Sequence, residues 1–209
     1  MLILALVMAA GALTLSAQRA ARPAEDWIKM LESPARVAGL RIEEVIGKLN
    51  LRPGDVVADL GAGTGVFSVP LARAVGPSGK VYAVEIDQGL VDYIAAKARD
   101  QSAPQVHALL GAFADPSLPA ADVDVAFMHD VLHHVDDRIT YLRNAARYLK
   151  PDGRFAIVEL DATRGAHRND PALQITREQL REWMAELEFM LVHEFPLFDD
   201  KWYVLYRRR

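Results

Sequence analysis

Cysteine is missing from the chain altogether. That excludes disulfides, a thiolate nucleophile and a thiolate metal site, and it leaves the redox compartment illegible from this residue. An excess of basic residues is missing too. Lys and Arg number 24 against 28 Asp and Glu, a net charge of −4 that gives no general attraction to nucleic acid. The short basic end Arg207, Arg208, Arg209 reads as solvated chain. Internal repeats and low-complexity tracts are absent, and apolar length is confined to one run, Leu2 to Ala17 (LILALVMAAGALTLSA). That run falls short of the roughly 20 residues of a comfortable transmembrane helix. With 209 residues, about half of them hydrophobic, the chain can bury one substantial core and has little room for a second domain.

The apolar run stands apart from the fold, so residues 1–22 read as a signal peptide or a membrane anchor. Only the α-amino group precedes the run, whereas Arg19 and Arg22 follow it. By the positive-inside rule this order favours an anchor with the rest of the chain in the cytoplasm. Export with cleavage near Ser16 or Ala17, or a start that misses an upstream basic segment, is the alternative.

From residue 23 onward the chain alternates between two periodicities. A polar lead-in over residues 23–50, with Pro34 as punctuation, has a helical pattern. VVADL is then a buried strand, VFSVPLARAV a helix, KVYAVEID a second strand and QGLVDYIAAKARD a second helix. QVHALLG and VDVAFMHD continue as strands, and DRITYLRNAARYL is an amphipathic helix ended by the turn signal Lys150-Pro151-Asp152-Gly153. RFAIVELD is the fifth strand and TREQLREWMAELE a helix. Two closing strands, FMLVHEFPLF and KWYVLY, are joined across Asp199-Asp200 too tightly for a crossover, so they are antiparallel. Apolar strands alternating with helices predict an α/β fold whose mostly parallel sheet is covered on both faces.

The first strand runs into Gly61-Ala62-Gly63-Thr64-Gly65. Strand, glycine loop, helix is the geometry in which a ligand lies against bare backbone, where a Cβ would collide with it. Dinucleotide folds favour G-x-G-x-x-G with a pyrophosphate at the helix N-terminus. Here the spacing is G-x-G-x-G, and Asp59 precedes the first glycine. A carboxylate there repels a pyrophosphate and accepts from an ammonium group. Glu85 closes the second strand, placed for a ribose diol. A ligand with adenosine at one end and an amino acid at the other satisfies both carboxylates.

VADLGAGTG, VYAVEID and LKPDGRFAIVEL, in this order and with an antiparallel closing strand, resemble the class I S-adenosylmethionine-dependent methyltransferases from about Val56 to Tyr206. The likeness is to the group that includes the quinone-biosynthesis C-methyltransferases, where DVLHHVDD resembles a recurring segment. The resemblance implies a Rossmann-like, doubly wound fold over residues 51–209: a seven-stranded, mostly parallel sheet with an antiparallel closing strand and helices on both faces. It implies S-adenosylmethionine as cofactor, held by Asp59, Gly61, Ala62, Gly63, Thr64, Gly65, Glu85 and Ile86, with His129 beside it. Many relatives carry an acid right after the glycine that follows strand three, for the adenine amino group. Gly111 is here followed by Ala112, which shifts the expectation to Asp115 for the amino group and Phe113 for packing on the ring. A loop acid and a core aromatic are the alternatives.

The segment HDVLHHVDD leaves strand four at the sheet's carboxyl edge, where its side chains face a methyl donor. His133, Asp130 and His134 are the catalytic candidates, His133 foremost. Methyl transfer is an in-line displacement, so a base is required only when the acceptor still carries its proton, and a neutral imidazole can take one. Capping or packing the next helix is the competing role for each histidine. His129 and His133 are spaced i,i+4, but on a strand-to-loop junction they share no helical face, and no metal is expected.

Tyr93 and Lys97 have the Tyr-x-x-x-Lys spacing of short-chain dehydrogenases, yet follow the second strand rather than lying well down the chain. They read as helix surface. Among Trp27, Trp183 and Trp202 only Trp27 tempts as a site residue, together with Glu32 and Arg36 on the lead-in; the others read as core. The expected partner is a small, lipophilic acceptor rather than nucleic acid. An NAD(P)-dependent oxidoreductase and a non-catalytic nucleotide-binding protein are the rival readings.

Overall fold

The computed structural model describes residues 23–209. The signal or anchor expected over residues 1–22 lies outside them. Among the described residues no helix is long and apolar enough to cross a membrane.

The lead-in forms three short helices, α1 (Ala24–Leu31), α2 (Pro34–Gly39) and α3 (Ile42–Leu49). Pro34 opens α2 at a first-turn position, where its missing N–H costs nothing. Then β1 (Val56–Leu60), α4 (Ser68–Val75), β2 (Lys80–Glu85), α5 (Gln88–Asp100), β3 (Val106–Leu110) and β4 (Val123–His129) alternate as expected. A single 3-10 turn, Leu132–His134, leads to α6 (Arg138–Ala146) and β5 (Leu149–Leu160), and after a second 3-10 turn come α7 (Arg177–Glu186), β6 (Phe189–Phe195) and β7 (Lys201–Arg208). Caps fix the helix starts. Asp87 accepts from Leu90 N at 3.1 Å, Asp137 from Thr140 N at 3.1 Å, and Thr176 and Gln179 form a reciprocal capping box.

The seven strands lie in the order β3-β2-β1-β4-β5-β7-β6. The pairs β2–β3, β1–β2, β1–β4 and β4–β5 are parallel, and β7 runs antiparallel to both β5 and β6. The closing strand therefore inserts between its two neighbours. One detail departs from expectation. The Lys150–Gly153 turn signal lies inside β5, whose pairing with β4 shifts register between Val123 and Val125. Gly153 allows this, because a Cβ there would meet Val123 O at 2.9 Å.

Strand alternation divides the core. Val56, Ala58 and Leu60 face the layer with α6 and α7, while Val57, Val125, Phe127, Ala156 and Val158 face that with α3 and α4. Burial of both faces explains why these strands read as continuous apolar runs. The strand ends Leu60, Glu85, His129 and Leu160 then belong to one carboxyl edge, where the doubly wound fold places ligands.

Candidate active site

At that edge the chain turns out of β1 through three glycines in the left-handed region: Gly61, Gly63 and Gly65 have φ of 71°, 59° and 68°. A side chain at Gly61 is excluded twice over, since a Cβ would also lie 2.5 Å from Cγ1 of Val131. The loop is tied to its flanking acids. Gly63 N donates to Glu85 Oε2 at 2.9 Å, and Ile86 N donates to Glu85 Oε1 at 2.8 Å. Asp59 is buried and accepts from Ser68 Oγ at 2.6 Å. Burial pushes the Asp59 carboxyl up to about 7, opposed by the Ser68 hydrogen bond and reinforced by the nearby charge of Glu85. Thr64 is equally buried, and its Oγ1 has no hydrogen-bond partner among the described residues. Ala62 lines the cleft beside it.

Two clefts meet at Gly61, Val131 and His134. The first runs past Glu85, Ile86 and Phe113 to Asp136. Phe113 is 54% exposed, so its ring lies open at the mouth rather than in a core. Asp115, expected at the adenine, is placed elsewhere. The segment after Gly111 folds back on itself, with Ala112 N donating to Asp115 O at 2.8 Å, and the Asp115 carboxylate takes Tyr148 Oη at 2.9 Å and Arg147 Nη2 at 2.7 Å. It does not line the cleft.

The second cleft lies between the lead-in and the histidine turn. Trp27, Met30, Leu31 and Arg36 form its outer wall. Leu31 reaches over the glycine loop, its Cδ1 lying 3.2 Å from where a Cβ of Gly63 would be. Lys97 holds the lead-in down, donating to Glu32 Oε1 at 2.6 Å and to Thr64 O at 3.3 Å. Lys97 thus ties α5 to the end of α1 and to the glycine loop, with the Tyr93 ring beside its ammonium group. Trp202 is buried in the core and Trp183 packs against it.

The inner wall is the segment after β4. His129 is buried against Phe67, with ring centroids 4.8 Å apart, and its Nδ1 is 3.3 Å from Asp130 Oδ2 without hydrogen-bond geometry. Asp130 adopts a left-handed φ of 55° and pairs with Lys201 at the start of β7. Burial alone would raise the Asp130 carboxyl, but His129 and the Lys201 ammonium together hold it well below the usual carboxylate range. His133 and Glu159 are both almost fully buried, with His133 Nδ1 2.6 Å from Glu159 Oε1. Glu159 also accepts from His133 N at 3.1 Å and Leu160 N at 2.7 Å. A carboxylate only accepts, so Nδ1 carries the hydrogen of this contact, and in the neutral form of the ring Nε2 is the acceptor nitrogen. His134 and His167 line the same cleft. Sequence reasoning misses Glu159 and His167. Glu159 reads as one polar residue in a core strand, and His167 sits in a loop with no motif around it.

Comparison with known proteins agrees with this geometry. Residues 58–157 match the methyltransferase domain family. The chain is 35% identical over 106 residues to a nocamycin O-methyltransferase of Saccharothrix syringae, covering 51% of this chain and 38% of that one. It is 35% identical over 114 residues to a demethylmenaquinone methyltransferase of Lactobacillus johnsonii, covering 54% and 46%. The chain thus spans less than half the length of these curated relatives. A solved SAM-dependent methyltransferase from Aquifex aeolicus shares the fold, with a TM-score of 0.81 at 22% identity over 90% of this chain and 100% of that one. Over residues 58–157 the chain is thus similar in sequence to the methyltransferase domain family, and its fold is that of a solved SAM-dependent methyltransferase, a likeness that implies S-adenosylmethionine as the cofactor.

Proposed function

We propose that the protein transfers the methyl group of S-adenosylmethionine to a small, lipophilic acceptor bound between α1 and the histidine turn. One observation carries this reading. A glycine loop held between two buried carboxylates opens directly onto a cleft walled by Trp27, Met30 and Leu31 on one side and on the other by His133, which Glu159 backs from the core.

The residues fit the cofactor. Gly61 leaves bare backbone where a Cβ is excluded, and the unpartnered Thr64 Oγ1 offers a polar contact in the loop. Glu85 would take the ribose hydroxyls, Asp59 the ammonium group, and Ile86 and Phe113 would flank the adenine. When bound, the cofactor supplies an electrophilic methyl on a sulfonium. The chain supplies the rest. Helix α1 closes the cleft and excludes water, and its apolar side chains suit a lipophilic acceptor of the kind one relative is named for, demethylmenaquinone. His133, with its Nδ1–H given to Glu159, presents Nε2 to take the acceptor's proton. Asp130 and Lys201 fix the turn that carries it. Attachment through Leu2 to Ala17 would keep the domain at a membrane, on the cytoplasmic side where S-adenosylmethionine is made. Recovery of N-terminal peptides from a membrane fraction supports that topology, and a mature chain starting near Ala17 in an exported fraction contradicts it.

The test is an acceptor screen. The full chain is incubated with methyl-labelled S-adenosylmethionine and a panel of phenols, thiols and quinone precursors, and products are identified by mass spectrometry. Transfer to at least one lipophilic acceptor is expected. Binding of S-adenosylhomocysteine with no transfer to any of them would instead make this a non-catalytic nucleotide-binding protein.

A further inference from the structure

The i,i+4 pair His129 and His133 does not form a metal site: the His129 ring packs among Phe67, Phe127 and Phe198. A different set converges instead. One nitrogen from each of His133, His134 and His167 lies within 4.8 Å of the others, and the ring centroids are 4.0 Å apart for His133–His134 and 5.0 Å for His133–His167. Two come from the 3-10 turn after β4 and the third from the loop after β5. Neither segment is left to wander. Arg138 Nη2 bridges His133 O at 3.3 Å and Ala172 O at 2.7 Å, and Gln174 Nε2 donates to His167 O at 3.2 Å and Arg168 O at 2.8 Å.

We propose that His133, His134 and His167 bind a divalent transition-metal ion of the zinc class, facing the acceptor cleft. The donor set is all imidazole. That suits zinc, cobalt, nickel or copper and not the oxygen-seeking calcium or magnesium. Glu159 completes the arrangement as the outer partner of His133. A buried carboxylate accepting Nδ1–H fixes the tautomer and leaves Nε2 for the ion, the usual carboxylate–histidine–metal relation. Zinc–nitrogen bonds of about 2.0–2.1 Å place tetrahedral donors about 3.4 Å apart. Closing the present set to that spacing calls for side-chain rotation at the half-buried His134 and His167. Three protein ligands leave a fourth position open, as in catalytic rather than structural zinc sites.

This deepens the proposed function and rests on it. The fourth position faces the cleft assigned to the acceptor, so the acceptor class narrows to molecules with an ionisable O–H or S–H. Bound to the ion, such a group loses its proton to solvent, its lone pair forms the new bond to the methyl carbon, and the pair of the broken C–S bond goes to sulfur. At His133 the two uses of Nε2 exclude each other. In the metal-loaded protein the ion, not the imidazole, accounts for the acceptor's deprotonation.

Cobalt(II) titration of the full chain, free of any histidine tag and stripped with chelator, tests the site without cofactor or acceptor. Its result is therefore independent of whether methyl transfer occurs. A saturable visible spectrum of four-coordinate cobalt is expected, displaced by one equivalent of zinc and lost in His167→Ala. Glu159→Gln should keep the spectrum while weakening cobalt binding on the order of 10–100-fold. Retained S-adenosylhomocysteine binding shows that each variant is folded, and His134→Ala serves in place of any that is not. Absence of the spectrum, or a spectrum indifferent to both His134→Ala and His167→Ala, overturns the proposal.

Discussion

The half of the cleft assigned to the cofactor is drawn mainly from one stretch of chain, Val56 to Ile86, with Phe113 added at its mouth, whereas the half assigned to the acceptor assembles Trp27, Asp130, His133, Glu159, His167 and Lys201 from five separate segments. The first half is fixed by local backbone geometry, in which glycines at positive φ turn the chain and a single carboxylate ties the loop to the next strand. The second is fixed by long-range ion pairs and hydrogen bonds between side chains. A local site tolerates variation elsewhere but no side chain at its glycines. A dispersed site can change its acceptor through one loop or one helix while the cofactor half stays intact.

Gly61 is where the comparison breaks most completely, because it belongs to both clefts. Gly61→Ala combines a positive φ with a contact against the stiff Val131. It should cost roughly 2–4 kcal/mol in urea denaturation and abolish S-adenosylhomocysteine binding. Next comes a change confined to the acceptor half. His133→Ala should lower kcat by about 10² with cofactor affinity measured by calorimetry nearly unchanged. Glu159→Gln, which can still accept from Nδ1–H, should lose less. Loss of thermal stability with turnover retained would reduce His133 to a packing residue.

The same contrast separates what is legible in the sequence from what is not. The glycine loop and Glu85 can be read because strand, loop, helix and strand succeed each other within one local unit. The central strands can be read because they are buried on both faces and apolar throughout, and the edge strands β3 and β6, half exposed, are read from their place between helices and turns. The segment His129 to His134 announces itself, but its division of labour does not. His129 proves to be enclosed by aromatics and His133 to be gripped by Glu159, a distinction set by Phe67, Phe127 and Phe198 on one side and by β5 on the other. Asp115 is misplaced by a reading that relies on its position after Gly111, whereas the backbone there closes on itself and hands the carboxylate to Arg147 and Tyr148. His167 carries no signal except distance in space.

Asp59 sharpens the contrast on the cofactor side through pH. Its folded pKa, about 7, is raised from 3.8. Between those values the folded protein holds the extra proton, so its contribution to stability is full below pH 3.8 and is lost as pH rises toward 7. Cofactor binding should run the other way, because an ammonium group requires the carboxylate. Affinity for S-adenosylhomocysteine should fall up to about tenfold per unit as pH drops below 7. Asp59→Asn should remove that dependence and melt at a higher temperature at pH 8, while binding more weakly. A pH-independent affinity in the native protein would detach Asp59 from the ammonium group.

The smallest effect is expected where the halves are joined by the part-buried Lys97–Glu32 pair. Lys97→Met removes the link to Glu32 and to Thr64 O. Global stability should change by less than about 1 kcal/mol, while amide exchange in α1 accelerates. Unchanged exchange would mean that Leu31 and its neighbours hold the lead-in without the ion pair.

The central claim is that the glycine loop with Glu85 holds S-adenosylmethionine, and calorimetry on the full chain tests it most directly. S-adenosylhomocysteine should bind, NAD and NADP should show no comparable affinity, and Glu85→Ala should weaken binding by about 1–3 kcal/mol in a folded variant. Preference for a dinucleotide, or an affinity untouched by Glu85→Ala, would contradict it.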